Sequence, residues 1–145
     1  MSFQLYVQSF AAGKPAGFTR DAIRDAFGGV LVELEDDYWQ ADFGAAGRSD
    51  LFLSFLEDGS GRIHSLSIDH PSRDDRLWQG IWALLGLPGT VFHFPGSAAP
   101  LVRAPGADAE LPPGMFQALG QPIAICGIQE IFDAVSEHLT SSGLQ

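Results

Sequence analysis

The residues best placed to do chemistry form one acidic and aromatic stretch between Glu33 and Asp42. It holds five acids and two aromatics, which are Glu33, Glu35, Asp36, Asp37, Tyr38, Trp39 and Asp42. No Lys or Arg lies between Arg24 and Arg48, so these carboxylates repel one another unless a cation or a basic partner offsets them. Aromatic side chains provide buried anchor area in interfaces, and acids provide steering and specificity. We therefore predict that this stretch is a partner-binding surface.

Two other interpretations of this stretch stay open. In one, it is a solvated strand end whose Tyr38 and Trp39 fold back on the core. In the other, it binds calcium, but a calcium loop needs acidic ligands at alternating positions around a glycine turn, and that spacing is absent. We predict no bound metal here.

A metal, cofactor or catalytic motif is not evident elsewhere in the sequence. The four histidines show neither H-x-x-x-H nor H-E-x-x-H spacing; they are His64, His70, His93 and His138. Asp69, His70, Asp74 and Asp75 could gather at a helix start, but a cap and the helix dipole already explain Asp74 and Asp75. The glycines fit neither a phosphate-binding loop nor a dinucleotide fingerprint, and no G-x-S-x-G elbow is present. We predict no metal, no cofactor and no catalytic residue.

Three further features each have a functional and a structural interpretation. Cys126, the single cysteine, is either a nucleophile near a helix start or a small buried hydrophobe. Trp78 and Trp82, one helical turn apart, either line a groove or pack in the core. Glu130, Asp133 and Glu137 share one stripe of the last helix, and no basic residue follows Arg103. That stripe is either part of the partner surface or a plain solvent face.

Composition limits the class of protein. At 145 residues and 46% hydrophobic content, the chain suits a single domain with its own core, which we place at residues 1–145. A net charge of −10 disfavours nucleic acid as a partner and favours a basic protein. One cysteine excludes a disulfide scaffold, and neither a basic leader nor an apolar run of about 18 residues is present. We expect a cytoplasmic protein that does not bind membranes.

The periodicity of apolar residues predicts an α+β fold. Strands are predicted at residues 3–10, 30–35, 51–56, 62–69, 90–94, 101–103 and 122–126, with a polar turn region between the second and third. Helices are predicted after a Thr19 cap, from Ser72, from Pro112–Pro113 and from Ile128. A hairpin turn at residues 57–61 makes an antiparallel meander of the second, third and fourth strands. The expected architecture is a two-layer sandwich, with a mixed, mostly antiparallel sheet and three to four amphipathic helices.

In general character the chain resembles small bacterial immunity proteins, which neutralise a toxin delivered between cells. The resemblance rests on the seven residues of the 33–42 stretch and on the acids of the last helix. It implies a single, acidic, cytoplasmic α+β domain without catalytic motifs, whose acidic and aromatic surface docks on a basic toxin active site. We therefore expect an immunity-type inhibitor rather than an enzyme.

Two alternatives belong to other functional classes. An adaptor or chaperone for a secreted effector would have an apolar groove around Trp78 and Trp82. A small enzyme would use Cys126 or His70. The sequence does not indicate the oligomeric state.

Overall fold

The computed structural model of the chain describes residues 4–96, 99–103 and 111–141, without the side chains at 116, 117 and 137–141. Within these ranges it has nine strands and four α-helices. The strands are β1 Gln4–Ala11, β2 Lys14–Pro15, β3 Leu31–Glu33, β4 Tyr38–Asp42, β5 Arg48–Phe55, β6 Ile63–Asp69, β7 Thr90–His93, β8 Leu101–Val102 and β9 Ile123–Ala124. The helices are α1 Arg20–Phe27, α2 Asp75–Leu85, α3 Pro113–Leu119 and α4 Ile128–Ser141.

The strands form one mixed, mostly antiparallel sheet. Its order is β3-β4-β5-β6-β1-β7-β8-β9, and β2 folds back on β1. All neighbouring pairs are antiparallel except β8 and β9, which run parallel. This sheet and its helices confirm the predicted α+β architecture.

Strand alternation gives the sheet one apolar face, which three helices cover. Leu5 and Val7 of β1 face this side and are fully buried. Helices α1, α2 and α4 contribute Ile23, Ile81 and Ile131 to the same core. No helix among the described residues is long and apolar enough to cross a membrane.

Among the described residues, the opposite face of the sheet is covered at one end only. Phe10 and Val91 lie there by strand alternation and form a second, smaller core with Val102 and Leu111. Met115 of α3 packs on this cluster. The remainder of this face, which we call the open face, is formed by β4, β5, β6, the adjoining half of β1 and His93 of β7.

The helix starts confirm one predicted cap and correct another. Thr19 caps α1, since its hydroxyl accepts a 3.0 Å hydrogen bond from the Ala22 N–H. Helix α2 does not begin at Ser72 as predicted, because Asp74 is its N-cap and accepts from the Arg76 N–H. The Ser72 hydroxyl instead accepts from the Asp74 N–H and donates to the carbonyl of Ala46.

The meander has four strands, not three. The predicted strand at 30–35 is shorter, at Leu31–Glu33, and the predicted polar turn region contains β4. Strand β4 pairs with β3 on one side and with β5 on the other. Its inward side chains, Trp39 and Ala41, alternate with polar ones. From the sequence alone the segment therefore resembles a polar turn, because the strands and helix that pack on it are not known.

Candidate functional site

Trp39 is not part of any surface, which corrects its predicted role as an anchor for a partner. Its side chain is 0% exposed and packs in the main core. The Arg24 guanidinium lies 5.4 Å from the ring centroid. Tyr38, one residue earlier on β4, points to the opposite face of the sheet, because successive side chains of a strand alternate.

An ion pair within the chain offsets the charge of Glu33, the first acid of the stretch at residues 33–42. This predicted partner-binding stretch is called the patch below. The Arg24 guanidinium of α1 donates to both carboxylate oxygens of Glu33, at 2.7 and 2.8 Å. It also donates to Asp21 at 2.8 Å. The hydrogen bond from Arg24 holds the pKa of the Glu33 carboxyl below its usual value. Glu33 therefore ties β3 to α1.

Two other acids of the patch also face arginines of the same chain. Asp36 lies 3.9 Å from the Arg20 guanidinium, and Asp42 lies 3.7 Å from that of Arg48. These long, exposed contacts contribute little to the free energy of folding, but they reduce the local negative charge. The repulsion that the sequence indicated is thus partly relieved within the chain.

Glu35 and Asp37 are the remaining acids of the patch. Both are exposed in the turn between β3 and β4. Across residues 4–96, 99–103 and 111–141, no ion pair involves either side chain. The exposed Leu34 precedes them and donates its N–H to the carbonyl of Tyr38. This turn is therefore an acidic rim beside the open face.

The open face carries a row of aromatic side chains that crosses five strands. The row runs from β4 to β7 through directly paired residues, in the order Tyr38, Phe52, Ser67, Tyr6 and His93. The rings of Tyr38 and Phe52 stack at 5.0 Å, and those of Tyr6 and His93 at 5.3 Å. Phe52 is 41% exposed. Partly exposed aromatic side chains such as Tyr38, Phe52 and Tyr6 are frequent anchors for a protein partner.

A second row on the open face is polar and acidic. It runs through Gln40, Asp50, Asp69 and Gln4. Asp50 accepts hydrogen bonds from the Tyr38 hydroxyl at 2.7 Å and from Gln40 Nε2 at 3.0 Å. Its other oxygen lies 3.0 Å from Nδ1 of His70. Partial burial raises the pKa of Asp50, but these hydrogen bonds outweigh burial and the pKa lies below its usual value.

The two imidazoles at this face differ in setting. His93 is largely enclosed, its Nε2 lies 2.8 Å from Oε1 of Gln8, and burial lowers its pKa. A lowered pKa favours the neutral form of the His93 imidazole. His70 is exposed and has a positive φ of 54°, with its carbonyl accepting from the Ser49 hydroxyl. Its ring is thereby held against Asp50.

The structure does not bring His70 and Cys126 together. His70 follows β6 and Cys126 follows β9, and β1, β7 and β8 lie between those strands. The Cys126 side chain is exposed, so it is not the buried hydrophobe of the structural interpretation. Its N–H donates to Oε1 of Glu130 in the first turn of α4. Among the described residues, no group of three His, Cys, Asp or Glu is placed to hold a metal ion.

Trp78 and Trp82 do not form an open groove. Trp78 is 3% exposed and meets Phe132 edge to face at 5.5 Å. The Arg103 guanidinium covers Trp82, 4.3 Å from its ring centroid, and donates to the Trp82 carbonyl. The core interpretation is therefore correct for Trp78, and Trp82 is partly buried beneath Arg103.

The acids of the last helix lie away from the open face, since α4 packs on the other side of the sheet. Glu130 accepts from the Cys126 N–H, and Asp133 accepts from Gln129. The side chain of Glu137 lies outside the described residues. Glu130 and Asp133 therefore do not extend the surface formed by the aromatic row.

Sequence reasoning missed Asp50, Phe52, Ser67 and Tyr6 as site residues. Each lies at an outward position of a strand with alternating polarity, and that alternation was the available signal. Their alignment depends on the strand order, which the sequence does not indicate. Comparison of the chain with known protein families, with curated proteins and with solved structures found no match.

Proposed function

We propose that this protein is a protein-binding inhibitor of the immunity type, which occludes a basic bacterial toxin with the open face of its sheet. The observation that carries the proposal is the aromatic row of Tyr38, Phe52, Tyr6 and His93 on the open face, the part of the sheet on which no described helix packs. Phe52 is exposed, and the partly exposed Tyr38 ring stacks on it. Aromatic side chains placed in this way are frequent anchors in protein interfaces.

Charge supports a basic partner for this face. Asp50 and Asp69 lie within it, and Glu35 and Asp37 form its rim. Arg48 lies at its end and is already paired with Asp42. A chain with a net charge of −10 attracts basic proteins over a distance, and acids around an aromatic centre select among them.

The test is capture of the product of the neighbouring gene, followed by affinity measurements on variants. Phe52→Ser removes the most exposed aromatic anchor, and the double variant Glu35→Lys with Asp37→Lys reverses the rim. Each should weaken the complex by about tenfold or more, since anchors and opposed charges cost this much in interfaces.

A matched control reverses a charge on the other layer. Asp133→Lys lies on α4, which packs on the covered face, and should leave the affinity unchanged. The proposal fails if the partner binds the Phe52→Ser and rim variants as tightly as it binds the original protein. It also fails if Asp133→Lys weakens the complex as much as they do.

A further inference from the structure

The aromatic row has a gap at its centre. Ser67 of β6 is paired with Phe52 on one side and with Tyr6 on the other. Its side chain is small, so among the described residues a short hydroxymethyl group separates two rings that stand on the flanking strands. Ser67 is partly exposed, as expected for the floor of an open slot.

The dimensions of the slot suit one planar group. Strands lie about 4.8 Å apart, so the backbones of Phe52 and Tyr6 are separated by about 10 Å. Phe52 stacks on Tyr38 and Tyr6 stacks on His93, and both stacks lie on the sides away from Ser67. A flat group in van der Waals contact with a ring on each side needs about 7 to 8 Å.

One end of the slot is acidic. Asp69 lies two residues after Ser67 on the same face of β6, and its cross-strand partner is Asp50. Directly opposed like charges destabilise a sheet. Both carboxylate oxygens of Asp50 have hydrogen-bond partners, which are Tyr38, Gln40 and His70. Asp69 has no such set of partners. Its Oδ1 is buried without a hydrogen-bond partner in the described structure, so an incoming group would approach this carboxylate from its Oδ2 side.

We propose that this slot receives an arginine side chain of the protein partner. The guanidinium would stack between Phe52 and Tyr6, and its N–H groups would face the Asp69 carboxylate. Arginine fits better than lysine because its head group is planar, stacks on rings and is weakly hydrated. The inference rests on the proposed function, since it names the group that the open face recognises.

The first test uses small probes and no partner. Acetyl-Gly-Arg-Gly-amide is titrated into the labelled protein, and the amide of Ser67 and the rings of Tyr6 and Phe52 are followed by NMR. We expect saturable shifts with a dissociation constant of about 10 mM or tighter, the range for a single side chain. The citrulline peptide, which has the same shape without charge, and the lysine peptide should each bind at least about fivefold more weakly.

Two variants localise the binding. Ser67→Tyr fills the slot and should abolish the shifts, while Ser54→Tyr, an exposed position of the neighbouring row, should keep them. Asp69→Asn keeps the shape and removes the charge, so it provides a second test if Ser67→Tyr does not fold. Equal binding of the lysine peptide, absence of shifts, or undiminished shifts in Asp69→Asn would overturn the inference.

The same variants separate the inference from the proposed function. A partner whose affinity depends on Phe52 and on the acidic rim, but not on Ser67 or Asp69, supports the proposed function and refutes the arginine slot. A partner whose affinity changes with none of these substitutions refutes the proposed function. In that case, arginine-selective shifts at Ser67 would still support the slot.

Discussion

The hydroxyl of Tyr38 donates a 2.7 Å hydrogen bond to Oδ1 of Asp50, across the pair of strands β4 and β5. The same oxygen accepts from Gln40, and the other oxygen faces His70. This contact fixes the Tyr38 ring, which then stacks on Phe52. One carboxylate therefore orients half of the aromatic row.

The Tyr38 phenol should report the charge on Asp50. The hydrogen bond to that carboxylate raises the pKa of Tyr38 above its ordinary value of 10.0, because ionisation would place two negative charges side by side. Asp50→Asn should lower the pKa of Tyr38 toward 10. Absorbance titration in a Tyr6→Phe background isolates this phenol, since Tyr6 and Tyr38 are the two tyrosines of the chain. An unchanged pKa would show that the hydrogen bond is absent in solution.

A glycine in α2 should be intolerant of a side chain. A Cβ at Gly80 would lie 2.2 Å from Cδ1 of Phe27, whose ring is buried between α1 and α2. We expect Gly80→Ala to reduce the free energy of unfolding by about 1–3 kcal/mol, the usual cost of overpacking. Denaturant unfolding measures this change.

Gly114→Ala is the matched control for that substitution. Gly114 lies in α3 with open space around a Cβ, so alanine there should be neutral or stabilising by up to about 1 kcal/mol. Combining Gly80→Ala with Phe27→Leu should recover part of the lost stability. Equal stabilities of the two alanine variants would contradict the close packing of α1 on α2.

The N-cap of α2 should make stability depend on pH in the acid range. Hydrogen bonds from the Arg76 side chain and from its N–H lower the pKa of Asp74 from 3.8 to about 2. A carboxyl with a lowered pKa in the folded state stabilises the fold fully above pH 3.8, and this contribution falls away as pH drops through about 2.

Asp74→Asn tests this dependence because asparagine still caps a helix but carries no charge. The original protein should be the more stable at pH 5, and the difference in the free energy of unfolding should shrink at pH 2. Arg76→Met, which keeps the N–H and removes the guanidinium, should show an intermediate dependence. A difference that stays constant with pH would exclude the ionised cap as its cause.

Local signals in the sequence were sufficient for most elements. The Thr19 cap and the apolar spacing of α2 and α4 depend on residues within a few positions of each other, so they can be read without the fold. Strand β4 could not be predicted in this way. Trp39 and Ala41 are buried only because α1 packs above them, and that packing is not visible in the local sequence.

The charges of the candidate site depended on distant neighbours. Glu33 meets Arg24 only because β3 lies beneath α1, and Asp42 meets Arg48 across a hairpin. The acidic stretch therefore looked less neutralised in the sequence than it is in the fold. Prediction of the aromatic row would also have required the strand order. Phe52, Tyr6 and His93 come from three strands whose order in the sheet is not sequential.

The strand order also constrains how the chain is made and folded. Strand β1 lies between β6 and β7, so Tyr6 pairs with Ser67 on one side and with His93 on the other. Strand β1 is synthesised long before β6 and β7. Its apolar side chains therefore cannot be buried in the sheet until both of those strands have been made. Long-range pairing of this kind slows folding and exposes strand edges to aggregation. The meander of β3 to β6 contains only local pairings, and it can therefore assemble first and offer β1 an edge to join.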